Sequence, residues 1–428
     1  MTLISKKYVI AGGGLAGLAA YSALAGEGAK CILEKENKLL GHAGSHKYMN
    51  NYFDEGVHVC HSTNAEWLSI LDLSDANYVE NSDVKNIDNG IWIGYPVQNN
   101  LADLSLRDRT ISLEQLRECS SRIFEKARNY EDWLRNTYGE FLYQRYYRRF
   151  TLKYWRSEPR ELGVDWLEGR LLPVQMELVE AGLSKERVSQ AVFSSYYYPA
   201  TGGFQQLFTN IIESISEDDV YLNFRASSID LKEKVVKTFT GETFSYERLI
   251  YTLPLPLLPE LIDDFPSDLS AMLKKLRYTR LFTLGVEVVG VNVEEIPDWF
   301  YVYDEDIDVS RVFNVSKASG SVKKLVLQCE TYRRSDEAYI EADIERNMLM
   351  GMRKIFGDTQ VKPLLFHKTE YAYIVPLDLN SDVVLSVSNY LEEFDVTPAG
   401  LYGLWRYRWS DQTYIETQEL IRSRFLSG

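Results

Sequence analysis

Cysteine is scarce in this 428-residue chain. There are four, Cys31, Cys60, Cys119 and Cys329, with no CxxC pair. That excludes a disulfide framework and a cysteine-based structural zinc site, and it fits a reducing cytoplasm. Histidine is almost as rare, at five residues. His42, His46 and His367 form no ligand motif in the sequence, and no metal is expected. Positive charge is short as well: 47 Lys and Arg against 62 Asp and Glu give a net charge of -15. Nucleic acid and anionic membrane surfaces, which need a cationic footprint, are excluded as partners. Long apolar runs are also missing. The most apolar later stretch, LIYTLPLPLLPELI, holds three prolines and is too short to span a bilayer. The N-terminus lacks a basic region leading into an apolar run, so a cytoplasmic protein without membrane insertion is expected.

What is present is a globular composition, 45% apolar and 25% charged, in a chain long enough for several cores. Residues 8–11, YVIA, suit a buried parallel strand, and LAAYSALAGEG suits a helix. Between them lies GGGLAG. Gly12 permits the tight turn, Gly14 lets a pyrophosphate approach the backbone, and Gly17 lets the helix pack close to the sheet. Leu15 and Ala16 open the helix, whose amides and dipole suit phosphate. A second apolar strand, KCILEK, ends at Glu34, where a carboxylate takes ribose hydroxyls, with Lys35 beside it. The acid favours NAD or FAD over NADP. Gly41, Gly44 and Ser45 follow as a second glycine turn, and the chain then enters a long helical insert instead of alternating strands and helices. Both features favour FAD.

Residues 111–190 repeat apolar residues at helical spacing with an aromatic load. YYYPATGGFQQL reads as a turn with paired glycines opening a helix. Residues 219–256 read as strand, hairpin and strand, with Thr240-Gly241 at the turn, and strands recur at 277–290 and 322–332. A last helix follows WSDQ. The fold class expected is α/β, a Rossmann-like FAD-binding domain with an inserted helical domain and a mixed β-sheet substrate domain. Its parts are 1–90 (FAD-binding), 91–195 (helical cap), 196–260 (FAD-binding), 261–385 (mixed sheet) and 386–428 (FAD-binding).

The stretch FDEGVHVCHSTN, residues 53–64, packs two acids, two histidines and a cysteine into twelve positions. Its GVHVCHSTNAEW resembles the GPHIFHTNNxxVW segment of bacterial UDP-galactopyranose mutases, a family within the wider flavin amine oxidase and protoporphyrinogen oxidase group. FTLKYWRSEPREL resembles a further bacterial segment, and IGYPVQNNL, WLEGRLL and GLWRYRWSDQ resemble segments of the eukaryotic mutases, in the same order. The resemblance implies FAD as cofactor. His58 and His61 would lie near its reactive edge, and Arg170, Tyr278 and Tyr407 at the diphosphate of a nucleotide-linked sugar. It also implies flavin contacts at Ala226 of FRASSI, Thr252, Gly403, Asp411 and Gln412. The reaction implied is ring isomerisation between pyranose and furanose forms, with reduced flavin as nucleophile and no net oxidation.

Two family arginines are replaced, by Leu401 in GLYG and by Val288. Arg277, Arg280, Arg406 and Arg408 are the nearest cations that would compensate. A plain alternative for Arg170 is a salt bridge to Glu161 or Asp165. Three functional readings follow: a nucleotide-sugar mutase whose substrate differs from UDP-galactose, an amine-oxidase-type FAD oxidoreductase, and a non-catalytic flavin-binding homologue.

Overall fold

The computed structural model describes residues 3–122, 126–167, 170–171, 173–184, 194–357 and 360–426. Strand β1 (Leu3–Ala11) runs parallel to β2 (Lys30–Glu34), with Val9 opposite Cys31, and helix α1 (Leu15–Ala23) makes the crossover. Tyr8 to Ala11 and all of β2 are buried, as a parallel strand covered on both faces requires. On its other side β1 pairs in parallel with Thr243–Tyr251, Ala11 opposite Tyr251. Val396–Pro398 adds to that strand, and Val220–Leu222 adds beyond β2, both in parallel. Ala226–Asp230 and Val235–Thr238 complete a seven-stranded sheet on the antiparallel side. The first sheet therefore draws on three distant stretches of chain, as the expected parallel nucleotide fold with a long insert demands.

The second sheet also has seven strands. Its order is Val361–Thr369, Thr279–Val288, Leu325–Arg334, Arg311–Asn314, Trp299–Val302, Val84–Asp88 and Ile91–Gly94. Pairing is antiparallel except between Trp299–Val302 and Val84–Asp88. The last two strands correct the sequence reading: residues 84–94, divided there between the first FAD-binding part and the helical cap, pair with the mixed sheet. Helix Glu341–Phe356 buries Ile344, Met348 and Met352, one residue per turn, against this sheet. Each such side chain contributes about 1.5–3 kcal/mol on burial.

The insert is helical, through Leu106–Ser121, Tyr130–Leu142, a π-turn at Tyr143–Tyr147 and Arg148–Tyr154. Residues 123–125, 168–169, 172 and 185–190 of the expected helical stretch lie outside the described residues. Ser105 and Asn129 cap the first two helices by accepting from the backbone N–H of Asp108 and Asp132. Lys153 fastens this layer to the second sheet: its Nζ donates to the carbonyls of Val302, Ile307 and Val309, each at 2.9 Å. The final helix runs Ser410–Phe425. No helix among the described residues is long and apolar enough to cross a membrane.

Candidate flavin and substrate site

The glycine turn after β1 is a cradle that side chains would fill. Gly12 has φ +108°, and a Cβ there would stand 2.4 Å from Thr252 Oγ1. A Cβ on Gly17 would stand 1.9 Å from the Gly12 carbonyl oxygen. Thr252 Oγ1 donates to the Ala11 carbonyl at 2.8 Å, which closes the turn from the neighbouring strand. Glu34 is buried at the end of β2. Its carboxylate accepts from Gly13 N–H at 2.7 Å and Glu36 N–H at 2.9 Å. Burial raises its pKa, and those two backbone donors work against the rise. Phe224 N–H donates to the Glu34 carbonyl at 2.8 Å, which brings Ala226 and the FRASSI segment beside it. Lys35 points away, paired with Glu36 in solvent.

The two glycine turns meet. Leu40 N–H donates to the Gly13 carbonyl at 2.8 Å, and a Cβ on Gly41 would stand 3.3 Å from Gly14 Cα. Leu15 and Ala16 start α1 here. Gly400, φ +74°, packs on Ala16, and Gly403 packs on the Tyr251 carbonyl. The C-terminal segment thus covers the same turn. Gly44 leads to Ser45, whose hydroxyl donates to Asp54 at 2.7 Å. Asp54 also accepts from Phe204 N–H at 2.9 Å and Tyr198 O–H at 2.9 Å. One fully buried carboxylate therefore ties the second glycine turn to the Gly202–Gly203 turn. Burial pushes the Asp54 carboxyl up to about 6, against the pull of these donors.

His58 stacks on Phe204 with ring centroids 5.1 Å apart. Its Nδ1 is buried with no hydrogen-bond partner. Burial, and then the Arg311 charge, hold its pKa down at about 4, so it is neutral at pH 7. His61 meets the Trp409 ring edge-on at 4.9 Å, and burial lowers its pKa too. Ser62 donates to Asp411 at 2.5 Å, which seats the histidine loop on the start of the final helix.

Arg170 lies in the same region. Its guanidinium is 4.6 Å from the Tyr407 ring centroid and 5.2 Å from that of Trp409. It donates to the Tyr407 carbonyl at 3.0 Å and to Gln412 Oε1 at 3.3 Å, while Nε is buried without a partner. The salt-bridge alternative fails for Glu161, which pairs with Arg277 at 3.1 Å. Among the described residues no carboxylate forms an ion pair with Arg170. Trp155 and Tyr373 pack on Tyr407 at 5.6 and 5.7 Å. Of the insert's aromatics, Trp155 and Trp166 reach Tyr407, while Tyr138, Tyr143 and Tyr146 are buried in the core.

The structure separates Tyr278 from this group. It stacks on Tyr371 at 4.3 Å and approaches Trp405 at 6.2 Å, whereas Arg170 meets Tyr407, two residues along from Trp405. Tyr278 packs on the apolar cluster that holds Trp405, whereas Tyr407 packs on the one that holds Trp155. The compensating arginines are also occupied elsewhere: Arg277 with Glu161, Arg280 with Glu370 and Arg408 with Glu416, while Arg406 is exposed. Val288 is a core residue of the second sheet, and Leu401 packs against the apolar cluster around Trp405.

The fold reveals groups that spacing did not. Arg311, from a strand of the second sheet, pairs with buried Glu330 at 2.7 Å. Glu330 in turn accepts from Val57 N–H, one residue before His58, at 2.6 Å. The Tyr402 hydroxyl contacts His42 Nδ1 at 2.8 Å. His46 and His367 converge on Glu55. Burial would raise the Glu55 carboxyl, but hydrogen bonds from His367 and His46 outweigh it and hold it well below the usual range.

The family model for flavin-containing amine oxidoreductases matches residues 15–295. The chain belongs to that family. Its fold is shared with a reduced UDP-galactopyranose mutase, at TM-score 0.86 and 21% identity, covering 97% of this chain and 95% of the other. It is shared with a putative protoporphyrinogen oxidase from Exiguobacterium sp. 255-15, at TM-score 0.73 and 16% identity over the full length of both. Wild-type putrescine oxidase bound to putrescine matches at TM-score 0.64 and 14% identity over 99% of each chain. The cofactor of this flavoprotein is FAD. The glycine cradle, the Glu34 carboxylate and the orphaned Nδ1 of His58 fit it.

Proposed function

We propose that this flavoprotein isomerises the ring of a nucleotide-linked sugar. The observation that carries this reading is Arg170, a cation stacked between Tyr407 and Trp409, unpaired with any described carboxylate and close to the histidine loop through Trp409. A guanidinium in that setting suits a diphosphate, whose oxygens match its planar fork. When bound and reduced, FAD supplies a nucleophilic nitrogen. The chain's own residues do the rest. Arg170 holds the leaving diphosphate and keeps it from diffusing away. Gln412 and the Tyr407 carbonyl fix the guanidinium. The rings of Trp155, Tyr373 and Tyr407 exclude water and offer flat faces to a sugar. Neutral His58 can accept or donate a hydrogen bond without adding charge. The domain boundaries given above, with residues 84–94 moved to the mixed sheet and a cap over the flavin, are part of the same proposal, as are the cytoplasmic setting and a role in polysaccharide synthesis.

A substrate other than UDP-galactose is supported by Leu401, which places an aliphatic side chain where the mutases carry an arginine. The family match to amine oxidoreductases favours a second reading, in which oxidised FAD takes a hydride from an amine or alcohol carbon. One experiment separates them. The flavin is reduced with dithionite without oxygen, a panel of nucleotide sugars is added, cyanoborohydride follows, and the released flavin is analysed by mass spectrometry. A flavin–sugar adduct is expected, lost in Arg170→Ala. If no sugar yields an adduct while an amine bleaches the oxidised flavin, the mutase reading is wrong and the oxidase reading stands.

A further inference from the structure

The hairpin that follows the second glycine turn pairs Ser45–Tyr48 with Asn51–Asp54, and His46 stands on its first strand opposite Phe53. Glu55 comes directly after the second strand, with its N–H bonded to the Gly44 carbonyl at 3.0 Å. His367 belongs to Val361–Thr369, the edge strand of the second sheet, opposite Thr283. His367 lies more than 300 residues along the chain from His46 and Glu55, yet both imidazoles present Nε2 to one carboxylate. The distances are 2.7 Å from His46 to Oε1 and 3.1 Å from His367 to Oε2. The two rings lie 3.9 Å apart between centroids. Thr369 Oγ1 donates to Glu55 Oε2 at 2.9 Å and to its carbonyl at 3.0 Å, which fixes the carboxylate from the edge-strand side.

We propose that His46, Glu55 and His367 form a binding site for a divalent transition-metal ion of the zinc class. One ligand atom from each lies within 4.8 Å of the other two. Tetrahedral zinc with bonds of about 2.0–2.2 Å sets ligand atoms about 3.3 Å apart, so small side-chain movements complete the set. Two imidazoles and one carboxylate suit zinc, cobalt or nickel and do not suit magnesium or calcium, which prefer all-oxygen shells. All three residues are partly exposed, so an ion can enter and a water can take the fourth position. Binding replaces the two histidine–carboxylate hydrogen bonds with metal bonds and requires the Nε2 atoms to be unprotonated. The consequence is a clasp: the hairpin that continues the flavin turn is locked to the edge of the second sheet. The proposal does not depend on the reaction assigned above.

The test uses the FAD-loaded full chain, stripped with a chelator and then dialysed against buffered zinc. Zinc per chain is measured by mass spectrometry and the melting temperature by calorimetry, at pH 7.5. One zinc per chain and a concentration-dependent rise in melting temperature are expected, with cobalt acting similarly and magnesium without effect. His46→Ala with His367→Ala should lose both. His46→Gln, which keeps a hydrogen-bond donor to Glu55, guards against simple misfolding. It should melt close to the metal-free wild type and lose at least tenfold in zinc affinity. No bound zinc in the wild type, or the same stoichiometry and shift in the variants, would overturn the site.

Discussion

Glu34 and His58 show how burial decides what a single side chain can do. Glu34 satisfies two backbone donors at the glycine turn, Gly13 and Glu36. Its removal strips the turn of its acceptor as well as any ribose contact. Glu34→Ala should weaken FAD binding by roughly tenfold or more, since a hydrogen bond to a charged group contributes about 1.5–3 kcal/mol. Flavin fluorescence titration checks this, and unchanged affinity would refute the nucleotide-site assignment. His58 is the opposite case, a group kept neutral by being dry. Its folded pKa of about 4 lies below the ordinary 6.5. The stability it contributes is fully present above pH 6.5 and is lost as pH falls through about 4, at up to about 1.4 kcal/mol per pH unit. Asp54, raised to about 6 from 3.8, works in the other sense: its contribution is present below 3.8 and lost as pH rises through about 6. Because the two oppose each other in bulk stability, His58 should be followed directly. Its imidazole resonances should not move between pH 5.5 and 8, and a midpoint inside that range would contradict the dry setting.

At the scale of elements, the site is a set of loops held by buried acceptors. Asp54 is the clearest, bonded to Ser45, Tyr198 and Phe204 N–H. Asp54→Ala leaves three buried donors without an acceptor, and each such group costs about 1–3 kcal/mol. The variant should lose at least about 3 kcal/mol in urea unfolding, with Asp54→Asn losing less; equal midpoints for Asp54→Ala and wild type would exclude the hub role. Elements with strong local signals were legible in the sequence: β1, the glycine turn and β2, the hairpin around Thr240-Gly241, and the final helix after WSDQ. Each is set by its own composition. What stayed hidden rests on pairing between distant segments. Val84–Asp88 joins the second sheet through a parallel partner more than 200 residues away, and no local pattern marks that choice. The same holds for the site. Arg170 and Tyr407 were legible as residues, whereas Arg311, Glu330 and the convergence of His46 and His367 on Glu55 exist only once the sheets are docked.

For the whole molecule, the decisive joint is where the second sheet meets the histidine loop, and its centre is the Arg311–Glu330 pair. Glu330 is fully buried and accepts from Arg311 at 2.7 Å, from Val57 N–H at 2.6 Å and from the Tyr332 hydroxyl at 2.8 Å. The Arg311 guanidinium lies 5.7 Å from the Tyr154 ring centroid, so the helical insert closes over the same pair. Burial alone would make the guanidinium easier to deprotonate, but the Glu330 charge outweighs it and keeps Arg311 cationic. A buried pair of this kind adds little net stability against an apolar replacement of both partners, yet removing one partner strands the other and costs about 3–5 kcal/mol. Arg311→Leu should therefore destabilise the whole chain by about that amount. It should also loosen FAD, although Arg311 lies on a sheet that contributes no strand to the nucleotide fold, because the stranded Glu330 carboxylate no longer holds Val57 and the loop that carries His58. Arg311→Leu combined with Glu330→Gln removes the stranded charge and should recover part of both losses. Melting curves and flavin occupancy after gel filtration decide the matter. If Arg311→Leu lowers stability but retains flavin as tightly as wild type, the second sheet is only a support and the histidine loop holds its shape without it.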